Sequence, residues 1–197
     1  MLRRNIRTVN VPVNARHLNE SHRPALLAHF CALSRRDAYL RFGTYVGPES
    51  IAAYVNSIDF ERSTVLGVYG DDLQLLGVAH LCPEKDVVEL GISVLQSARR
   101  HGIGALLMRR ALSHARLIGA SQLFMHCLAE NDDLMRLARA AGAQFSFSHD
   151  EADGFIHVPT VTPFSAAVEF AEEQIGVVDY TLKAHRAAWR HALRSTG

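Results

Sequence analysis

The sequence predicts a mixed α/β domain: one largely antiparallel sheet flanked by helices, with a C-terminal helical extension. Three observations predict it. Residues 63–94 read as three strands separated by two turn signals. A β-α-β-α-β succession then runs to Val158. A long apolar seam of helical spacing closes the chain, so the domain is expected over residues 1–161 and the extension over 162–197.

Taken in order, Asn5 to Pro12 alternates loosely and reads as a first strand. Leu26, Leu27, Phe30 and Leu33 form a helical stripe within Glu20 to Leu33. Gly47-Pro48 opens a second helix carrying Ile51, Tyr54, Val55 and Ile58. Ser63–Tyr69, Leu73–Leu81 and Val87–Val94 are the meander strands, with turns at Gly70-Asp71-Asp72 and Pro83-Glu84-Lys85-Asp86. Gly102 to Ile118 is a helix with Ile103, Leu107, Ala111 and Ile118 on one side. Ser121 to Ala129 is an apolar strand, and Asn131 to Ala141 a helix with Leu134, Leu137, Ala138 and Ala141 in register. Ala143–His149 and Gly154–Val158 make a hairpin around Asp150 to Asp153. Thr162-Pro163 starts the last helix.

Composition narrows the function. The 197 residues carry 21 Lys and Arg against 20 Asp and Glu, a net charge of +1, which argues against a nucleic-acid partner that works by phosphate neutralisation. Cys31, Cys82 and Cys127 are odd in number and have no C-x-x-C spacing, so neither a disulfide framework nor a zinc ribbon is encoded. Arg3, Arg4 and Arg7 are followed by no apolar stretch, and no run reaches membrane-spanning length. A cytoplasmic protein with no membrane partner is expected. The eleven histidines suggest a metal, but His80-x-Cys82 and His126-Cys127 do not supply three convergent ligands. No Gly-x-Ser-x-Gly elbow is present to support a hydrolase triad.

The segment Val88 to Leu107 is the most informative. A strand runs through a loop into Arg99-Arg100-His101-Gly102-Ile103-Gly104, which opens a helix. Unsatisfied N–H groups and the dipole of a helix N-terminus favour an anion, and glycines let the backbone approach it. Arg99 and Arg100 add charge suited to phosphate oxygens. A pyrophosphate cradle is the chemistry expected; the plainer alternative is a tight turn. A Walker loop is excluded because no Gly-Lys-Ser/Thr occurs. A dinucleotide fingerprint lacks its third glycine and its later acid.

Arg99-x-x-Gly102-x-Gly104 resembles the acyl-CoA pyrophosphate motif of the GNAT N-acetyltransferase superfamily, and the order of elements from Ile6 to Val158 is similar to that family. The resemblance implies a GNAT-type fold and acetyl-CoA as cofactor. It implies that the backbone of Arg100, His101, Gly102, Ile103, Gly104 and Ala105 holds the pyrophosphate beside Arg99. It implies that Ile92 and Val94 pair with the pantetheine arm and that Asn131 touches the same arm. Asn131 reads equally well as a helix N-cap.

Strand alternation puts Glu89, Gly91 and Ser93 on one face, with Glu89 ten residues before Arg99. A solvated strand face is the plain reading. The resemblance implies instead that Glu89 is the general base of N-acetyl transfer from acetyl-CoA to a primary amine of a small molecule or protein. One departure stands out. The family's general-acid Tyr and following Phe correspond here to Ala138 and Ala143. That departure supports an alternative, a non-catalytic acetyl-CoA-binding sensor or protein-interaction module.

From Phe164 onward, Val168, Ala171, Ile175, Val178, Leu182, His185, Trp189 and Ala192 follow spacings of alternately four and three. The seam is expected either to fold over its own sheet or to form a homodimer through Val178, Leu182 and Trp189. Gly176 is a candidate break within it.

Overall fold

The computed structural model describes residues 14–159, 171 and 174–188. The strand expected at Asn5–Pro12 lies outside these residues. The first described strand, β1, is Ala15–Leu18. A 3-10 turn capped by Asn19 leads into α1 (Arg23–Cys31). A helix that the apolar pattern does not announce follows, α2 (Arg35–Phe42), and then α3 (Pro48–Ser57). Next come β2 (Thr64–Tyr69), β3 (Leu75–Glu84), β4 (Val87–Val94), α4 (Ile103–Leu117), β5 (Gln122–Leu128), α5 (Asp132–Ala140), β6 (Gln144–Ser148) and β7 (Glu151–His157). A last helix, α6, spans 174–188.

The seven strands form one sheet in the order β1-β2-β3-β4-β5-β7-β6, with β4–β5 its parallel pair and the other pairs antiparallel. Of the three predicted turns, the one between β2 and β3 widens to 70–74, and the other two tighten to two residues. β3 runs on to Glu84, so Lys85-Asp86 makes the first of these two, with Lys85 at φ 57°. β7 begins at Glu151, so the second turn is His149-Asp150 rather than Asp150 to Asp153, with His149 at φ 52°.

Period-two alternation sorts the strands' side chains into two cores. On one face Leu66, Val68, Ala79, Leu81, Val88 and Leu90 pack with Leu107, Ala111 and Ala115 of α4. On the other, Val65, Tyr69 and Val78 pack with Leu26 and Phe30 of α1 and with Ile51 and Val55 of α3. Ile118, expected on the apolar side of α4, is 45% exposed because the helix has ended one residue earlier.

The candidate break at Gly176 does not occur; the helix is continuous across it. Gly176 sits against the backbone of Ala15, where a Cβ would collide with the Ala15 carbonyl. Tyr180 packs edge-on against Tyr69 under the Arg16 guanidinium. The Lys183 ammonium, buried at 3% exposure, donates to the Tyr69 carbonyl at 2.9 Å and pairs with Asp179 at 2.7 Å. The predicted seam is a different face: Ala171, Ile175, Val178, Leu182 and His185 are exposed. Trp189 and the seam residues before Ala171 lie outside the described residues.

An exposed helix gains about 1 kcal/mol when glycine becomes alanine. Here the sign reverses. Gly176→Ala is expected to lower stability by about 1–3 kcal/mol through overpacking on β1, measured as the shift in urea midpoint.

Candidate active site

The site starts where two strands part. β4 and β5 pair only at Val87, Val88 and Glu89, opposite Gln122, Leu123 and Phe124. Beyond Glu89, β4 has β3 on one side and no strand on the other. Leu95 N–H points to Leu76 of β3. Backbone groups alternate sides along a strand, so the N–H and C=O of Ile92 and Val94 point into the parting. The Val94 carbonyl accepts from Arg99 Nε there at 3.3 Å. This opened edge borders a cavity of about 750 Å³, a size suited to a small-molecule or cofactor arm.

At the end of β4 the chain turns into α4. Arg100 (φ 63°) and Gly102 (φ 79°) both take the left-handed conformation. Gly102 N-caps α4 without a side-chain hydrogen bond. The helix's first turn therefore presents the N–H groups of Ile103, Gly104 and Ala105 to the cavity, which all three residues line. Gly104 keeps a close approach open: a Cβ there would lie 3.3 Å from Leu137 of α5. Asn131, 9% exposed, caps α5 by accepting from Leu134 N–H at 3.2 Å and lines the same cavity. The two readings of Asn131 thus coincide in place.

Arg99 departs from expectation. Its guanidinium turns to Asp37 of α2 at 2.5 Å, with Asp37 only 10% exposed on its side chain. Its charge is met within the protein, which leaves Arg100 as the loop's other arginine. His101 is exposed, binds the Arg99 carbonyl at 2.8 Å and does not line the cavity.

Glu89 is exposed and stands on the sheet face covered by α1 and α3. It does not line the cavity. Its cross-strand neighbours are Cys82 and Phe124. Two residues on, the Arg41 guanidinium lies over Gly91 where any Cβ would collide with it, and Arg41 does line the cavity. Arg41 donates to Tyr54 Oη at 2.9 Å, and Tyr54 O–H then donates to His80 Nδ1 at 2.8 Å. Its Nε is buried without a hydrogen-bond partner among the described residues. Ser93, third on the Glu89 face, is buried at 8% exposure and bonded to His29.

The structure therefore gathers Ile92, Val94, Arg99, Arg100, Gly102, Ile103, Gly104, Ala105 and Asn131 around one cavity, and leaves Glu89 and His101 outside its lining. Sequence reasoning missed Asp37, Arg41 and His29. A signal for α2 was present: Ser34 caps it by accepting from Asp37 N–H, and Gly43 ends it at φ 71°. Among the described residues no group of three or more His, Cys, Asp or Glu side chains could hold a metal, and no helix is long and apolar enough to cross a membrane.

Residues 28–143 match the model of the acetyltransferase (GNAT) family. The chain belongs to the GNAT acetyltransferase family. Solved structures agree in fold. The GNAT domain of S. lividans PAT superposes with a TM-score of 0.64 at 15% identity, over 74% of this chain and 90% of that one. Spermidine N-acetyltransferase from Vibrio cholerae, in complex with CoA and spermine, gives 0.59 at 16% identity, over 74% and 95%. Phosphinothricin acetyltransferase from Sinorhizobium meliloti, in complex with AcCoA, gives 0.59 at 16%, over 75% and 89%. At these identities the shared property is the fold. No curated protein matches the chain by sequence.

Burial pushes His29, His80 and His114 each down to about 4, since the charged imidazolium loses its hydration. Below about 6.5 the unfolded chain takes up protons that the folded chain refuses until about 4. The part of the stability that rests on these three histidines is therefore expected to be full above about pH 6.5 and to fall as pH drops toward 4. Urea midpoints across that window measure it, and His114→Gln should flatten the slope.

Proposed function

We propose that the protein transfers an acetyl group from acetyl-CoA to a primary amine of a small molecule or protein, by direct attack with both substrates bound. The observation that carries this reading is the parted β4 edge meeting the N-terminus of α4 in one cavity, with Glu89 on the adjoining sheet face. The residues present fit the cofactor. The inward N–H and C=O groups of Ile92 and Val94 suit the amides of a pantetheine arm, and Asn131 lies along the same wall. The free N–H groups at Gly102 to Ala105, with Arg100, suit a pyrophosphate. When bound, acetyl-CoA supplies the activated acyl group.

Glu89 supplies the base. An alkylammonium with a pKa of about 10.4 is neutral in fewer than roughly one molecule per thousand at pH 7, and only the neutral amine is nucleophilic. A positioned carboxylate that removes its proton raises the rate about 10²–10⁴-fold. The free thiols of Cys31, Cys82 and Cys127 support a reducing, cytoplasmic setting.

A second reading has one observation in its favour. Ala138, where the family places its acid Tyr, is fully buried against the core and offers no proton. A sensor that binds acetyl-CoA without turnover needs none. Turnover with a pooled amine library separates the two, and calorimetry with acetyl-CoA and longer acyl-CoAs fixes the acyl chain. Absence of binding by the folded protein overturns both.

Glu89→Gln is expected to lower turnover about 10²–10⁴-fold across pH 6–9 while acetyl-CoA still binds; full turnover refutes the assignment. We also propose that the exposed Val178 and Leu182 on α6, together with Trp189, pair two chains. Ultracentrifugation is expected to show a dimer that becomes a folded monomer on truncation after Val161. A full-length monomer at micromolar concentration removes that proposal.

A further inference from the structure

Ser93 of the cavity wall and His29 buried behind it take no part in the chemistry above. Ser93 Oγ lies 2.8 Å from His29 Nε2, and His29 Nδ1 lies 2.7 Å from the Leu75 carbonyl. His29 is 1% exposed and Ser93 8%. A carbonyl oxygen only accepts, so the His29 proton sits on Nδ1 and Nε2 carries the lone pair. Burial keeps His29 neutral, at about 4. Ser93 O–H therefore donates to Nε2, and the serine lone pairs are left for another donor. Among the residues lining the cavity, Ser93 alone carries a hydroxyl. It sits between Ile92 and Val94, the two residues whose backbone faces the parting.

We propose that Ser93, backed by His29, carries the proton from the acceptor nitrogen to the departing sulfur, the task for which Ala138 provides no group. This rests on the acetyl-transfer reading. The steps balance without a further reactant. Glu89, which lies outside the cavity about 13 Å along the strand from Ser93, first takes one proton from the ammonium through intervening water and releases it to solvent. The neutral nitrogen bonds to the acyl carbon, the carbon–sulfur bond breaks, and sulfur leaves with the electron pair. Ser93 Oγ accepts the second nitrogen proton as its own passes to His29 Nε2. Ser93 then gives a proton to sulfur and recovers one from Nε2. Both side chains return to their starting state. Ser93 is the catalytic residue here; His29 is a positioning residue that acts through it.

The test compares Ser93→Ala, Ser93→Thr, His29→Gln and the Ser93→Ala/His29→Gln pair by steady-state kinetics with an amine found in the pooled library. Acceptor-free hydrolysis of acetyl-CoA, in which water replaces the amine, is followed in parallel by thiol release. Calorimetry with acetyl-CoA verifies that each variant is folded. Ser93→Ala and His29→Gln are each expected to lower kcat about 10²-fold with both KM values unmoved. Ser93→Thr is expected to restore most of the rate. The pair should be no slower than the worse single variant, because the two act as one unit. An independent readout is 15N NMR of the histidines: His29 is expected in the Nδ1–H tautomer, with an Nε2 resonance that moves in Ser93→Ala. Wild-type turnover with Ser93→Ala at full rate overturns the relay alone. Additive losses in the pair, or a His29 proton on Nε2, also overturn it. No thiol release from the wild type in either assay overturns the acetyl-transfer reading and the relay together.

Discussion

A strand inside a sheet must bond its backbone on both sides, and β4 does so only as far as Glu89. The unmet groups beyond that point are the constraint around which the site is built. β3 holds one side of β4 along its whole length, so the strand stays extended although its other side is open. The same strand then delivers the chain to the N-terminus of α4, whose first-turn N–H groups are unmet for a different reason. The edge groups of Ile92 and Val94, of which the Val94 carbonyl is met by Arg99 Nε, and the first-turn donors of α4 thus line one cavity without either element being irregular.

The face carrying Glu89 is polar in its depth, and each polar group there is placed in series. Arg41, Tyr54, His80 and Ser63 form one run of hydrogen bonds, and Leu75, His29 and Ser93 another. A buried hydrogen bond is worth little net, but an unmet partner is costly. Both runs therefore fix rotamers and tautomers more than they add stability. They cross from α1 and α3 to β3 and β4, so the helices of this face set the chemistry of the strands beneath them.

Much of this was legible beforehand because the signals are local. Alternation in β2 to β4, the places of the turns though not their lengths, the Gly102-x-Gly104 loop and the Asn131 cap each depend on a few neighbouring residues. What escaped was long-range. Arg35, Arg36, Asp37 and Arg41 make α2 charged, and it buries Ala38 alone, so no apolar stripe marks it. His29 and Ser93 are 64 residues apart, and only the packing of α1 on β3 brings them together. Gly176 reads as a helix breaker by propensity, yet its value is steric, as the one residue type that lets α6 touch β1. Arg99 looked free because nothing in its neighbourhood announces Asp37.

α2 has a further consequence. Asp37 grips Arg99 on the α4 side of the parting, while the Leu40 carbonyl accepts from Asn131 Nδ2 on the α5 side at 3.4 Å. An exposed Arg36–Glu130 pair repeats the second tie at 3.2 Å and adds little energy. One short helix outside the sheet is thereby stitched to both lips of the slot. These ties run through side chains and one carbonyl of α2 and use no rung of the sheet, so a change of side chain on α2 alters what spans the slot while strand pairing keeps its own bonds.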